Sequence, residues 1–213
     1  MTVEIDDWTC RLDFPVGWVD LTSASDADAD GKASWARQTV ASFNPLGLVV
    51  AKEFIEEELI GLAKAAEKRQ SVVAAAFYAE GGFNYAGFDV QIFGEDGVSP
   101  TLQNVEGRLR AQKSLAGEPA VTRVELPVGA ALRFQGTYQS KGVFGFGKRL
   151  SESVSHAVLV PDTGDVLMAT MDWTAMERSD ELSEMADSLI RTLRLIPLDA
   201  VGRPIFDIGD GHD

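Results

Sequence analysis

The chain has 213 residues, 45% of them hydrophobic and 24% charged, and its 33 acids against 19 bases give a formal net charge of −14. That length suits one domain whose core needs no metal or disulfide staple. The acidic balance repels phosphate backbones and anionic lipid heads, so neither a nucleic-acid partner nor electrostatic membrane binding is expected.

Half of the charge lies near the start, where residues 1–31 hold eight acids and only Arg11 as a base. Cys10 is the single cysteine, so no intrachain disulfide can form, which suits a reducing compartment. The first residues, Met1 to Asp7, lack the basic and apolar stretches of a signal peptide. No apolar run approaches the roughly 18 residues of a spanning helix. A cytoplasmic location is expected.

Trp8 to Phe14 alternates and reads as a strand. Pro15-Val16-Gly17 turns the chain into a short second piece, Trp18 to Leu21. Thr22 to Gly31 reads as a polar, Asp-rich loop and Lys32 to Phe43 as a helix. Asn44-Pro45 has the form of a helix start, with Asn44 as cap and Pro45 in the first turn. Leu48, Ala51, Ile55, Leu59, Leu62 and Ala66 then recur on one face, so the spacing predicts a helix to about Arg69. Ser71 to Glu80 and Tyr85 to Gly94 read as a strand pair around Gly81-Gly82.

Ser99-Pro100 opens another helix, with Leu102, Val105 and Leu109 on one face and Gly117 after its end. Val121 to Leu126, Ala131 to Ser140, Glu152 to Val160 and Asp165 to Trp173 follow as four strands. Turn residues join them, which predicts an antiparallel meander. A last helix is expected from about Asp180 to Arg194, stopped by Pro197, with a loosely ordered tail over 201–213. With no internal repeat or low-complexity linker, residues 1–200 read as a single α+β domain with a central antiparallel sheet flanked by helices.

Two local patterns add to this element order. Near the N-terminus a strand leads into Phe14-Pro15-Val16-Gly17-Trp18. Near the other end a hairpin with Pro161-Asp162-Thr163-Gly164 precedes a helix closing on Ser188-Leu189-Ile190-Arg191-Thr192-Leu193-Arg194. Together they resemble the PsbP-like superfamily, which includes extrinsic subunits of the oxygen-evolving complex, a Ran-binding nuclear import factor and bacterial effector-adaptor chaperones. The resemblance implies an α/β/α sandwich and a role in binding proteins rather than in catalysis. It carries over no functional residues.

Asp26, Asp28, Asp30 and Gly31 match the opening of an EF-hand loop, whose carboxylates ligate Ca²⁺ at alternate positions. Position 12 is Arg37, a cation where a bidentate Glu is needed, so a solvated acidic loop is expected instead. Gly142 to Lys148 has the spacing of a phosphate-binding loop. Arg149 stands where a Mg²⁺-holding hydroxyl belongs, and a strand pattern follows rather than a helix. The segment reads better as a glycine-rich loop between strands. Phe144 and Phe146 then either stand exposed between Lys141 and Lys148-Arg149, as aromatic contacts for a partner, or fold back onto the core.

His156 has Ser153 and Ser155 close in sequence. Both fall on the opposite face of a strand, and no G-x-S-x-G elbow exists. His156 therefore reads as structural or surface. Asp207, Asp210, His212 and Asp213 in the tail lack fixed geometry for a metal. Cys10 reads as a buried thiol and Glu56 to Glu58 as a solvated helix face. Trp8, Trp18, Trp35 and Trp173 read as core. The run Val72 to Ala76 is small enough for close helix packing or for a ligand space, and close packing is preferred. No catalytic residue, cofactor or metal is expected.

The reading that follows is a non-enzymatic protein-binding module, an adaptor or chaperone, contacting its partner through Phe144, Phe146, Lys148 and Arg149. A small-molecule or lipid-binding protein with a cavity between sheet and helix stands as the alternative. An enzyme of unrecognised type stands third.

Overall fold

A computed structural model of the chain describes residues 7–24, 27–44, 47–94, 100–141, 148–160, 165–199 and 201. Among them the elements run β1 (Asp7–Arg11), β2 (Trp18–Asp20), α1 (Ala29–Ser42), α2 (Lys52–Arg69), β3 (Val73–Tyr78) and β4 (Asn84–Phe93). There follow α3 (Leu102–Arg110), β5 (Ala120–Leu126), β6 (Gly129–Lys141), β7 (Lys148–Leu159), β8 (Val166–Trp173), α4 (Ser179–Ile190) and β9 (Arg194–Leu198). The class is α+β, with an antiparallel seven-stranded sheet in the order β2-β3-β4-β8-β7-β6-β5. β1 and β9 form a second, two-stranded sheet.

The expected meander is β5 to β8, and its last strand closes back on β4. The chain reaches the far edge of the sheet through α3, so a crossover and a meander together bring β4 and β8 side by side at mid-sheet. Alternation along each strand then gives each face its own partner. On one face Leu167, Ala169, Met171 and Trp173 of β8 share a core with Leu182, Ala186, Leu189 and Ile190 of α4. On the other face α2 lays Ile55, Leu59 and Ala66 on Ala74, Ala76 and Tyr78 of β3. Val105 and Leu109 of α3 lie on Leu132, Phe134 and Ala157 of β6 and β7. Ala74 and Ala76, 1% and 0% exposed, mark close packing of helix on sheet.

Two expectations are corrected. Asn44-Pro45 does not start a helix, because α2 begins at Lys52 after an N-cap at Ala51. The amides of Val49 and Val50 both bond the carbonyl of Gly81, and Leu48 bridges to the same glycine, so tertiary pairing takes the backbone a longer helix would need. Gly81 and Gly82 make this turn with φ of 88° and 82°, and a Cβ on Gly82 would meet Ile55 Cδ1 at 2.7 Å. The last helix also stops early, at Ile190, and Arg194–Leu198 forms β9 against β1. Pro197 is tolerated there because a strand paired on one side need not donate at every position.

The Asp-rich segment is partly helical. Asp28 caps α1 by accepting the amide of Gly31 at 2.8 Å, and Asp30 sits in the first turn, where the helix dipole favours an acid. Asp26 lies outside the described residues. No helix among the described residues is long and apolar enough to cross a membrane.

Candidate functional site

Because α2 covers β3 and α3 covers β6 and β7, the strip over β4 and β8 between them is left open. Its side chains come in rows fixed by strand register. Gly87, Asp172, Ser153 and Gly136 stand across the sheet in one row, and Asp89, Thr170, Ser155 and Phe134 in the next. Gln91, Met168, Ala157 and Leu132 follow, then Phe93, Val166 and Leu159. The strip therefore grades from carboxylates and hydroxyls at one end to aliphatic and aromatic groups at the other.

The space above it is a groove in two connected parts. The polar part is about 410 Å³ and includes Ser151, Ser153, Ser155, Thr170, Asp172, Gln91 and Tyr138 in its walls. The apolar part is about 400 Å³, under α3, with Val105, Val166 and Pro100, and Arg108 and Asn104 at its rim. Phe93, Leu109, Gln112 and Met168 line both, so the parts meet there. A long groove, apolar over much of its length with convergent polar groups at one end, has the make-up of a small-molecule site.

Most polar groups on the floor are tied to one another. Ser155 Oγ lies 3.0 Å from Thr170 Oγ1, and the Ser153 hydroxyl bonds Tyr138, whose pKa is raised by burial against that bond. Asp89 accepts from Gln91 Nε2 at 2.8 Å and from Ser71 Oγ at 3.3 Å, and the Arg69 guanidinium at the end of α2 stands 3.6 Å away. Asp172 opens onto the groove. Its side chain is exposed on that side, while desolvation by the floor around it lifts its pKa from 3.8 to about 6. The Asp89 carboxylate adds to the rise and Arg69 opposes it.

A carboxyl held above its unfolded value weakens the fold as it ionises, over the interval from about pH 4 to above pH 6. Asp172→Asn should therefore be more stable than the wild type near pH 8, by about 1 kcal/mol after screening by groove water, and no more stable near pH 4. Urea denaturation at the two pH values checks this.

The residues singled out in the sequence do not converge on this groove. The strands flanking residues 142–147 pair antiparallel up to Lys141↔Lys148, and Arg149 is exposed. Phe144 and Phe146 lie outside the described residues, as does the side chain of Lys148. His156 is 3% exposed and its Nε2 sits 3.1 Å from Asp187 Oδ1 beneath α4. Arg133 Nε is 2.7 Å from the same oxygen, and Arg133 Nη2 donates to Ser183. The network joins β6 and β7 to α4, while Ser153 and Ser155 line the groove on the other face. Cys10 is buried, and burial pushes its thiol up to about 12.

Trp8 and Trp173 are core, as expected, while Trp18 packs on Phe14, Phe77 and Phe88. Among the described residues no group of three or more His, Cys, Asp or Glu is placed to hold a metal. The sequence signal for the groove was the alternation Ser151-Ser153-Ser155 in β7 and Thr170-Asp172 in the otherwise apolar β8, which the sequence reading missed.

A wider cleft of about 920 Å³ lies at the end of α1, with Trp35, Phe43, Tyr78, Asp20 and Glu80 in its walls. Its polar groups are largely engaged: Tyr78 donates to Glu58 at 2.7 Å, and Asp20 accepts the Thr22 amide at 2.8 Å. The groove over β4 and β8 is the stronger candidate.

No protein-family model matches the chain, and no curated protein does. Solved structures do. LpqN, involved in cell envelope biogenesis of Mycobacterium tuberculosis, is similar over 90% of this chain and 85% of its own, with a TM-score of 0.50 and 13% identity. A protein of unknown function from Pseudomonas aeruginosa, PA94, is similar over 50% of this chain and 70% of its own, with a TM-score of 0.39 and 18% identity. The LpqN likeness concerns the fold.

Proposed function

We propose that this protein binds a small amphiphilic molecule in the groove between α3 and the sheet, and holds it without transforming it. The carrying observation is the graded floor, with hydroxyls and the Asp172 carboxyl at one end and Met168, Phe93, Val166 and Leu109 at the other. The side-chain order follows from register, so the groove is built by the fold rather than by loops. The superfamily resemblance implies protein binding rather than catalysis, so by analogy it supports only the non-catalytic half of this reading. The envelope role of the structural neighbour makes the cell envelope as good a place to seek the ligand as the cytoplasm.

Met168 stands where the two parts of the groove meet, so Met168→Trp blocks the passage without touching the face under α4. Titration with N-phenylnaphthylamine, a neutral apolar fluorophore, should give saturable binding to the wild type, weakened about tenfold or more in the variant. Equal binding by both proteins would sink the reading.

A protein-binding role is the second reading, and one observation favours it. Val49 and Phe83 are 78% and 45% exposed beside the Gly81 turn, a small apolar patch of the kind partners cover. Val49→Ser with Phe83→Ser should abolish capture of that partner while leaving the melting temperature within about 2 °C. A large drop would make these side chains structural.

A further inference from the structure

The two carboxylates at the polar end of the groove are not equivalent. Asp89 is answered by Arg69, Ser71 and Gln91. Asp172 has neither a hydrogen bond nor an ion pair among the described residues, yet it faces the groove. With two acids and one base the end carries a net negative charge, in a chain that is itself strongly acidic. Gly87, its neighbour on β4, brings no side chain, and a Cβ there would lie 3.3 Å from Asp172 Oδ1. The carboxyl thus leans into the room that the glycine leaves. The Thr170 and Ser153 hydroxyls and the Gln91 amide stand in the same walls and can accept further hydrogen bonds.

We propose that the groove takes a primary alkylammonium amphiphile, its cationic head on Asp172 and its chain laid past Met168 toward Leu109 and Val166. This rests on the ligand-binding reading of the groove. An ammonium group has three donors and no acceptor, which suits a carboxylate flanked by hydroxyl and amide oxygens. The charged and titratable groups facing Asp172 are Asp89 from β4, Arg69 from the end of α2 and Tyr138 from β6. Arg108, on α3, stands at the opposite, apolar end. A carboxylate head at Asp172 would meet two acids, and an uncharged head would leave the site's charge unanswered. A cation pairs with the ionised Asp172 carboxylate, so its preference weakens as pH falls through about 6 and the carboxyl is protonated.

The test is calorimetric titration of wild type and Asp172→Asn with decylammonium, decyl alcohol and decanoate, at about 0.15 M salt to screen the general charge. In the wild type near pH 8, decylammonium should bind about tenfold tighter than the alcohol, with decanoate weakest. The Asn variant should bind ammonium and alcohol alike, and the wild type near pH 4 should do the same. Equal or tighter binding of the alcohol or of decanoate to the wild type overturns the proposal. So does an ammonium preference that survives in Asp172→Asn, since the other acids alone would then explain it. Binding of N-phenylnaphthylamine with no preference among the three heads defeats this proposal and leaves the groove reading standing. Binding of none of the four probes defeats both.

Discussion

Trp173→Ala should lower the stability of this protein by about 3–5 kcal/mol, a loss of roughly 10 °C or more in melting temperature for a chain of this size. Trp173 ends β8 and is 2% exposed, in the core that the sheet shares with α4. Its ring removal empties a volume the rigid sheet beneath cannot refill. It also breaks a polar chain, because the indole N–H donates to Ser179 Oγ at 3.0 Å and the Ser179 hydroxyl donates to Glu152. That chain ties the first residue of α4 to β7. Trp173→Phe keeps most of the ring and loses the N–H, so it should cost about 1–2 kcal/mol. Guanidinium denaturation of the two variants separates packing from hydrogen bonding. A cost below about 1 kcal/mol for the alanine variant would mean that α4 is not seated on β8 as described. Asp172 is the neighbouring residue on the opposite face, so a frayed end of β8 should also weaken binding in the groove. Met168→Trp should do the reverse and weaken binding at little cost in stability.

The meander was legible because its turns are marked. Pro127, Gly129 and the Pro161–Gly164 run separate stretches that alternate, and the observed β5, β6 and β8 depart from the expected spans by at most about two residues at either end, β5 and β8 ending where expected. Gly81-Gly82 marked the β3–β4 turn for the same reason, since both glycines hold positive φ. Where the sequence misled, a long-range partner had taken the backbone. Asn44-Pro45 has the local chemistry of a helix start, but Gly81, far along the chain, claims the amides of Val49 and Val50. Arg194–Leu198 has no strand signal strong enough to outweigh Pro197, and it becomes β9 only because β1 is there to pair with.

The groove was illegible for a related reason. Ser153, Ser155, Thr170, Asp89 and Asp172 lie on three strands, and only register makes them neighbours. Whether such a row is covered depends on where α2 and α3 land, which is a matter of tertiary packing. The small residues of β3 were the reverse case. They suggest either space or close packing, and α2 fills the room above them. The alternation of β7 also disposes of a tempting triad. His156 points under α4, while Ser153 and Ser155 point into the groove, so the thickness of the sheet separates base from hydroxyl.

The His156 side of β7 carries the other large effect. Asp187 on α4 is the common acceptor for Arg133 and His156, at 2.7 and 3.1 Å, and it is 37% exposed where its partners are 16% and 4% exposed. Asp187→Ala leaves Arg133 beneath a helix without its counter-charge and leaves His156 Nε2 without its partner. Breaking a buried pair costs about 3–5 kcal/mol, and the partial exposure of Asp187 lowers the expected loss to about 2 kcal/mol. The pH dependence identifies the cause. Burial raises the Asp187 pKa, but the hydrogen bonds from His156 and Arg133, with the Arg133 charge, outweigh it and bring the carboxyl from 3.8 down to about 2. A carboxyl held below its unfolded value stabilises the fold above about pH 4, and that contribution is lost as pH falls through about 2. The gap between wild type and Asp187→Ala should therefore narrow steadily from about pH 4 toward pH 2. A gap unchanged down to pH 2 would assign the loss to packing of the side chain rather than to its charge. α4 would then be held by its apolar face, with the hydrogen bonds of Ser179 and Ser183, rather than by the Asp187 charge.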